Sequence, residues 1–366
     1  MSDQRRSSRM PIETIPDWET RLARQDAFWH RAVLDRPMVC MQWEAPTPNV
    51  PPPPPRAHAT IRDRWMDVEY LAETARAAVA NTVYAGDALP SLFPNLGPTV
   101  FSAFFGLEPT FAETTTWTTP AIEDWSRTEH VRFSEQNPYW LKVQEMTRAL
   151  LEAGKGRFYV GMTDIHPGGD ALAAFRGTIE LNTDLLLDPE PVKRMLDEVH
   201  AVFQHVFQVS NDMLDDAKQA CTAWPSIVSS LRWHVPQCDF SCMISKEMFD
   251  AFFLDKIRDE CRFAEASLYH LDGPNALQHL DSLLEIPELN AVQWIYGAGH
   301  GRASDWTHIY KRCQQAGKGI QIVPPIDLDE LDWLTTELRP EGVWSAVHVS
   351  NADEAEYVLD RIARWK

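Results

Sequence analysis

The most constraining feature of this sequence is the alternation of short apolar runs with segments of helical periodicity. Each run has five to eight residues, and most are rich in Val, Ile, Tyr, Phe or Trp. Near-continuous apolar strands are typical of a parallel sheet buried on both faces. Between the runs, apolar residues recur every three or four positions, most clearly from Pro191 to Met213. Eight runs are present: Met38–Trp43, Thr82–Gly86, Phe158–Thr163, Ser226–Trp233, Ser267–Leu271, Ala291–Tyr296, Gly319–Val323 and Trp344–Val349.

Eight strands alternating with helices predict a single (β/α)8 barrel of the TIM type, in the α/β class. An open doubly wound sheet is the alternative, but no Gly-x-Gly-x-x-Gly motif follows the first run, which argues against its dinucleotide-binding version. We expect residues 1–30 to form an N-terminal extension and residues 31–366 to form the barrel. Residues 49–59 include five consecutive prolines and cannot be helical. Residues 101–138 are irregular, and we expect an insertion that covers the barrel mouth.

The charge and the ends of the chain limit its partners. With 34 basic and 53 acidic residues the net charge is −19, which would repel nucleic acid phosphates. No apolar run approaches the roughly 18 residues that span a bilayer. Met1–Met10 is polar and basic and lacks the apolar segment of a secretory signal. We expect it to form a frayed tail. We therefore expect a cytoplasmic enzyme for a small-molecule substrate, with no nucleic acid or membrane partner.

The cysteines do not form a recognisable metal motif. None of the six is part of a Cys-x-x-Cys pair, so we expect reduced thiols and no zinc ribbon. A metal site would have to combine residues that are distant in the sequence.

Polar and titratable residues follow at least five of the eight runs. In a barrel, catalytic groups lie at these strand ends. Each has an ordinary alternative when taken alone, because strand-end histidines often only donate hydrogen bonds, aspartates cap helices and tryptophans pack in cores. Asp87, after the second run, is a candidate catalytic acid. The candidates for substrate binding are Trp43, Asp164, His166, Asp170, Trp233, Asp239, Trp294 and His300.

Two local patterns carry more information. His270 and Asp272 are two apart at the end of an apolar run, so an extended strand points both side chains to one side. That geometry serves metal chelation, or a histidine oriented by a carboxylate, and both residues are candidate catalytic groups. Gly168 and Gly169 lie between His166 and Asp170, and this loop either approaches a ligand closely or makes a tight turn before a helix.

Several segments together resemble the uroporphyrinogen decarboxylase superfamily over roughly residues 30–366. The resemblance rests on Asp239–Ser245, which leads into Met248–Leu254, and on Tyr269–Gly273 and Ile295–Gly299. Upstream, Gly86–Ala88 leads to Leu96–Pro98 and a short Ala-Phe-Phe-Gly segment. The superfamily implies the barrel fold. It includes metal-free tetrapyrrole decarboxylases and zinc methyltransferases that work with corrinoid proteins or activate thiols.

The resemblance to the decarboxylase branch is incomplete. Those enzymes carry an arginine-rich motif after the first strand, whereas this chain has Val39–Glu44, with no arginine and one acid. A substrate with many carboxylates would be repelled there. Asp87 lies near the place of the decarboxylase catalytic aspartate.

The methyltransferase branch binds zinc through His-x-Cys and a later cysteine. Here the motif is His270-x-Asp272, and Cys313 lies within a predicted helix. The resemblance therefore implies a zinc ligand set drawn from Cys242, His270 and Asp272. Zinc accepts S, N and O ligands and acts as a Lewis acid when one position stays open.

Three functional hypotheses follow from the sequence. The first is a methyltransferase, or demethylase, for a small methylated compound, with the methyl group passed to a corrinoid protein or another acceptor. The alternative is a metal-independent decarboxylase or lyase of a small aromatic or heterocyclic acid, with Asp87 and His270 as acid–base groups. The third is a scaffold protein without chemistry, against which the many polar strand ends argue. Members of the superfamily are often dimers, and the resemblance extends this expectation to a homodimer here.

Overall fold

The computed structural model describes residues 8–366, which form a mixed α/β fold around one large sheet. The strands are β1 (Cys40–Glu44), β2 (Thr82–Gly86), β3 (Ser91–Leu92), β4 (Pro109–Phe111), β5 (Thr116–Thr118), β6 (Tyr159–Val160), β7 (Trp233–His234), β8 (Ala266–Asp272), β9 (Ala291–Ile295), β10 (Gly319–Ile326) and β11 (Val343–Val347).

Helices lie between and around the strands. They are α1 (Trp18–Trp29), α2 (Ile61–Met66), α3 (Val68–Ala80), α4 (Val100–Ala103), α5 (Pro138–Gly154), α6 (Gly169–Arg176), α7 (Thr178–Leu187), α8 (Pro189–Asp216), α9 (Lys246–Phe252), α10 (Leu254–Phe263), α11 (Leu280–Leu284), α12 (Thr307–Gln315), α13 (Leu331–Glu337) and α14 (Ala352–Ile362). Short 3₁₀ turns cover Asp239–Met243, Pro274–His279, Ala303–Trp306 and Leu328–Glu330. No helix within residues 8–366 combines the length and the apolar character needed to cross a bilayer.

Seven strands form the central sheet, in the order β2-β1-β11-β10-β9-β8-β7. Its strands pair in parallel except at one edge, where β2 is antiparallel to β1. β3 and β6 form a separate parallel pair, and β4 and β5 form a hairpin. Within residues 8–366 the hydrogen-bonded ladder therefore does not close into a ring.

The predicted α/β class is confirmed, and a strand lies within or beside each of the eight predicted runs. Two predicted strands need correction. Thr82–Gly86 is a strand, but it runs antiparallel to β1, and the next parallel strand is Ser91–Leu92. The run Ser226–Trp233 yields only Trp233–His234. Ser226 has a φ of 60°, a left-handed conformation that interrupts an extended strand.

Residues before the first strand are bound to the rest of the fold. The buried Asp26 carboxylate of α1 accepts hydrogen bonds from the hydroxyls of Ser229 and Ser230 and from the Ser230 backbone N–H. Arg9 forms an ion pair of 2.6 Å with Asp215. Most of the predicted tail, Met1–Met10, lies outside the described residues, but its part at Arg9 is held against α8.

One row of side chains across the sheet positions the candidate site. His270 on β8 is opposite Gln293 on β9, and Gln293 is opposite Gln321 on β10. Residues paired in register in a parallel sheet point to the same face. His270 and the two glutamines therefore share one face. The next residue on β9, Trp294, points to the other face, where its ring centre lies 5.1 Å from that of Trp306.

A buried histidine in the 3₁₀ turn that follows β8 makes the stability of the fold depend on pH. The His279 ring is fully buried, its Nε2–H donates to the Ser241 carbonyl at 2.9 Å, and its Nδ1 is buried with no partner. Burial lowers the pKa of His279 below the ordinary value of 6.5. As the pH falls through about 6.5, the unfolded chain takes up a proton that the folded chain does not, so this histidine lowers stability on the acidic side.

We expect the melting temperature of the wild type to fall more steeply between pH 7.5 and pH 5 than that of His279→Gln. The amide side chain retains a donor for the Ser241 carbonyl but does not titrate. All other titrating groups are the same in the two proteins, so the difference between their curves isolates residue 279. Parallel curves would show that this imidazole does not contribute.

Candidate functional site

Six titratable residues converge at the ends of β6, β7 and β8: Asp164, His166, Asp170, Asp239, His270 and Asp272. The Nε2 atom of His166 lies 2.7 Å from Asp164 Oδ1, and the Nε2 atom of His270 lies 3.8 Å from Asp239 Oδ1. Two sets of three residues offer ligand atoms within 4.8 Å of one another, and they share Asp239: His166 with Asp170 and Asp239, and His270 with Asp239 and Asp272. The strand ends thus bring together residues from three segments of the chain.

The first of these two sets is already occupied by internal partners. The Asp170 carboxylate accepts hydrogen bonds from the backbone N–H groups of Asp239 and Phe240, at 3.1 and 2.8 Å. His166 is paired with Asp164. In contrast, Asp239 Oδ1 is buried and has no hydrogen-bond partner. Asp239 belongs to both sets, and because the other two members of the first set are engaged, the set of Asp239, His270 and Asp272 is better able to accept a metal ion.

A chain of amides fixes which nitrogen of His270 carries a proton. Gln321 Nε2 is 2.9 Å from the Pro225 carbonyl oxygen, which can only accept, so Gln321 donates there and presents its own Oε1 to Gln293. Gln293 Nε2 donates to that oxygen at 2.6 Å, and its Oε1 faces His270 Nδ1 at 2.5 Å. His270 must donate from Nδ1 to complete this chain. In the neutral ring the Nε2 lone pair is then left free on the side of Asp239.

The electrostatics of the cluster reflect its crowded carboxylates. Burial, with the charge of neighbouring acids, raises the pKa of Asp170 and Asp239 to about 6. Burial alone would lower the pKa of His166, but the charge of Asp164 and its hydrogen bond, with Asp170 and Asp239, raise it to about 9. Burial lowers the pKa of His270 despite its bond to Gln293.

A cavity of about 590 Å³ adjoins this cluster. Gln293 and Trp224 belong to its wall, and the Trp224 ring packs edge-on against His270 with ring centres 5.0 Å apart. The wall is formed by side chains from β1, β2, β3, β9, β10 and β11, from α3 and from the turn Trp224–Ser226. Ligand pockets typically have volumes of ~300–1,000 Å³. No residue of 101–138 is part of this wall, so the predicted mouth-covering insertion is not part of the cavity.

Asp87 does not join the cluster. Its fully buried carboxylate accepts hydrogen bonds from Arg24, from both terminal nitrogens of Arg36 and from the Val39 N–H, at 2.7–3.0 Å. Both carboxylate oxygens are therefore occupied. These contacts favour a structural role over the catalytic role predicted from the sequence.

Cys242 lies near the cluster but outside both sets of ligand atoms. It occupies the 3₁₀ turn one turn after Asp239, which corresponds to about 6 Å along the axis of such a helix. Burial, followed by the charges of Asp239 and Asp272, raises the pKa of its thiol, which favours the protonated form. This geometry favours Asp239 over Cys242 as the third member of the predicted set with His270 and Asp272.

The predicted substrate-binding tryptophans lie elsewhere. Trp233 is buried, donates to the Cys221 carbonyl and packs on Trp29. Trp294 points to the helices, Trp43 packs against the core from β1, and His300 is exposed. Two other tryptophans, Trp224 and Trp344, line the cavity instead. Trp344 on β11 is the register partner of Gln321 on β10. Its side chain therefore lies on the same face of the sheet as Gln321 and Gln293.

Comparisons with known proteins agree with the fold. A structure of a methyltransferase from Methanosarcina mazei is similar to this one, with a TM-score of 0.55 at 9% sequence identity, and the match covers 93% of this chain and 97% of that chain. No family model matches the sequence, and no curated protein does. The chain thus shares an architecture with this methyltransferase over nearly its whole length.

Proposed function

We propose that this protein is a metal-dependent methyltransferase that removes the methyl group from a small methylated compound. The observation that carries the proposal is the arrangement of His270, whose free Nε2 faces two carboxylates while its other nitrogen is held by Gln293. The adjoining cavity would hold the substrate. The shared architecture with a methyltransferase supports the same reading.

A zinc ion fits the donor set of Asp239, His270 and Asp272. Zinc sites with catalytic function commonly have three protein ligands from nitrogen and oxygen donors and keep one position open. The unpartnered Asp239 Oδ1 and the free Nε2 of His270 supply two such donors, and Asp272, two residues along the same strand, supplies the third. A zinc ion bound there would act as a Lewis acid toward the heteroatom that carries the methyl group.

The reaction transfers a methyl group from a heteroatom to an acceptor nucleophile. The bond between the methyl carbon and the heteroatom breaks with its electron pair left on the heteroatom, which then takes up a proton. The new bond to carbon uses the electron pair of the acceptor, for which the sequence resemblance implies a reduced corrinoid carried by a partner protein. In this scheme Gln293 orients His270, and Trp224 shields the ring of His270 from water.

We also propose that the sheet is part of an eight-stranded barrel of the uroporphyrinogen decarboxylase type. β3 and β6 would close the gap between the β2 edge and the β7 edge, so that eight parallel strands and the antiparallel β2 surround the interior. Two observations support this placement. The N–H of Met162, two residues after β6, donates to the carbonyl of Thr222, in the segment that leads to β7. Residues of β1 and β3 also line the same cavity as residues of β9 and β11. In such a barrel the cavity and the cluster both lie in the interior and mouth.

The proposal is tested by measuring bound metals in protein purified without added metal and after reloading with zinc. We expect about one zinc per chain in the wild type, and loss of that zinc in His270→Ala and Asp239→Asn. Cys242→Ser is the matched control, because it removes a neighbouring ligand type and should keep the metal. Demethylation of an aryl methyl ether, with free reduced cobalamin as acceptor, should then require zinc.

Either of two results would contradict the proposal. The first is zinc bound equally by the wild type and His270→Ala, and the second is zinc-independent turnover. Loss of zinc from Cys242→Ser, with retention in Asp239→Asn, would restore the ligand set predicted from the sequence and remove Asp239 from it.

A further inference from the structure

The side chains that line the large cavity are mostly uncharged. Among residues 8–366, those that line it include no Asp, Glu, Lys or Arg. The acidic side chains that give the chain its net charge of −19 are therefore absent from the described residues of this wall. Most of the wall is aliphatic or aromatic, including Met41, Leu89, Leu92, Ile295 and Val323.

The ionisable groups of the wall are few. Burial raises the pKa of the Cys40 thiol, and it raises the pKa of Tyr84 to about 12. Both groups are therefore neutral near pH 7. His348 is the remaining ionisable side chain among those that line the cavity.

Two indoles give the cavity its specific features. Trp224 belongs to both the cavity wall and the packing around His270, so a ligand on it would lie next to the cluster. Trp344 also lines the cavity, and its indole N–H is buried without a hydrogen-bond partner. That N–H is closed to the cavity, so Trp344 contributes the flat apolar surface of its ring.

From this wall we infer that the site takes an uncharged aromatic methyl compound, such as a neutral aryl methyl ether, and discriminates against carboxylate and ammonium analogues. The inference rests on the proposed function for the chemistry but concerns only binding. A carboxylate or an ammonium group would lose its hydration in this cavity, where no Asp, Glu, Lys or Arg of the described wall offers it an opposite charge. A neutral ring meets apolar walls and the rings of Trp224 and Trp344.

Binding is tested with three probes on one scaffold: 4-methoxybenzyl alcohol, 4-methoxybenzoate and 4-methoxybenzylamine, which are neutral, anionic and cationic at pH 7. Affinities are measured by calorimetry on wild-type protein, both stripped of metal with a chelator and loaded with zinc. We expect the neutral probe to bind at least about tenfold more tightly than either charged probe in both forms. Equal or tighter binding of a charged probe, or no saturable binding of the neutral one, would overturn the inference.

Two pairs of variants assign the preference to this cavity. Val79→Lys places a cation at the wall near the end of α3, where a basic residue suits the helix dipole, and Val79→Met is its uncharged control. We expect the lysine variant alone to gain affinity for 4-methoxybenzoate, by about tenfold. Trp344→Phe, which reduces the aromatic surface of the wall, should weaken binding of the neutral probe severalfold, whereas Trp294→Phe, on the other face of the sheet, should not. An unchanged preference in Val79→Lys, with its fold confirmed by circular dichroism, would place the ligand elsewhere.

The binding experiment separates this inference from the proposed function. If the neutral probe binds selectively but no zinc or methyl transfer is found, the proposed chemistry fails and the inferred ligand class stands. If zinc is bound through His270 but the carboxylate binds best, the ligand class fails and the metal site stands.

Discussion

Replacing Asp87 with alanine is expected to lower the free energy of unfolding by about 3–5 kcal/mol, the usual cost of breaking a buried ion pair from one side. The variant leaves the guanidinium groups of Arg24 and Arg36, which are 12% and 17% exposed, without the carboxylate that they share. It also leaves the buried Val39 N–H without an acceptor. Urea denaturation of the two proteins, with equal dependence on denaturant, measures the difference directly.

Asp35→Ala is the matched control for this prediction. Asp35 pairs with the same Arg24 at 2.6 Å, but its side chain is 63% exposed. An exposed pair is worth at most about 1 kcal/mol, so the control should lose much less stability. If both variants lose the same amount, burial of the Asp87 pair is not what stabilises this region.

The same residue decides between the two enzyme hypotheses from the sequence. A lyase that uses Asp87 as an acid or base needs a free carboxylate oxygen, and both are occupied here by donors. We expect Asp87→Asn, which keeps the acceptor oxygen, to retain ligand binding and methyl transfer once folded. A folded Asp87→Asn protein that has lost activity would return Asp87 to the catalytic machinery.

The fold could be predicted from the sequence to the extent that buried strands are continuous apolar runs. β8 and β9 coincide with their runs to within one residue at each end, because both faces of these strands are covered. The direction of β2 could not be predicted, since an apolar run has the same appearance in parallel and antiparallel pairing. The ion-pair partners of Asp87 could not be predicted either, because Arg24 and Arg36 are 63 and 51 residues away in the sequence.

The site was predicted in part for similar reasons. The spacing of His270 and Asp272 fixes a common side on any strand, and the structure places both in one set of ligand atoms. Trp294 was assigned to the substrate because tryptophans in apolar runs give no sign of which face they occupy. The useful signal was Gln293 and Gln321, each an amide within an otherwise apolar strand, since a buried amide requires partners. Their pairing with His270 depends on strand register, which the sequence does not contain.

Gln293→Leu is expected to lower zinc affinity by about 10–100-fold. This is the range found when a group that orients a metal-bound histidine is removed. Without the Gln293 carbonyl, nothing holds the proton on Nδ1 of His270. The neutral ring can then place its proton on Nε2, and that form has no electron pair for a metal at this position. Competition with a chromophoric chelator measures the affinity of the two proteins.

A readout of the tautomer distinguishes orientation from a general loss of packing. In metal-free wild type, ¹⁵N NMR of the His270 ring should report a protonated Nδ1 and a bare Nε2, whereas Gln293→Leu should give a mixture of the two neutral forms. Gln321→Glu is the control, because its buried carboxyl in the protonated form donates to the Pro225 carbonyl, still accepts from Gln293 Nε2, and so keeps Gln293 facing His270. We expect the wild-type tautomer and near-wild-type zinc affinity in that variant. If Gln293→Leu binds zinc as tightly as the wild type, the amide chain anchored at the Pro225 carbonyl does not prepare His270 for a metal, and the free Nε2 must arise from the carboxylates around it.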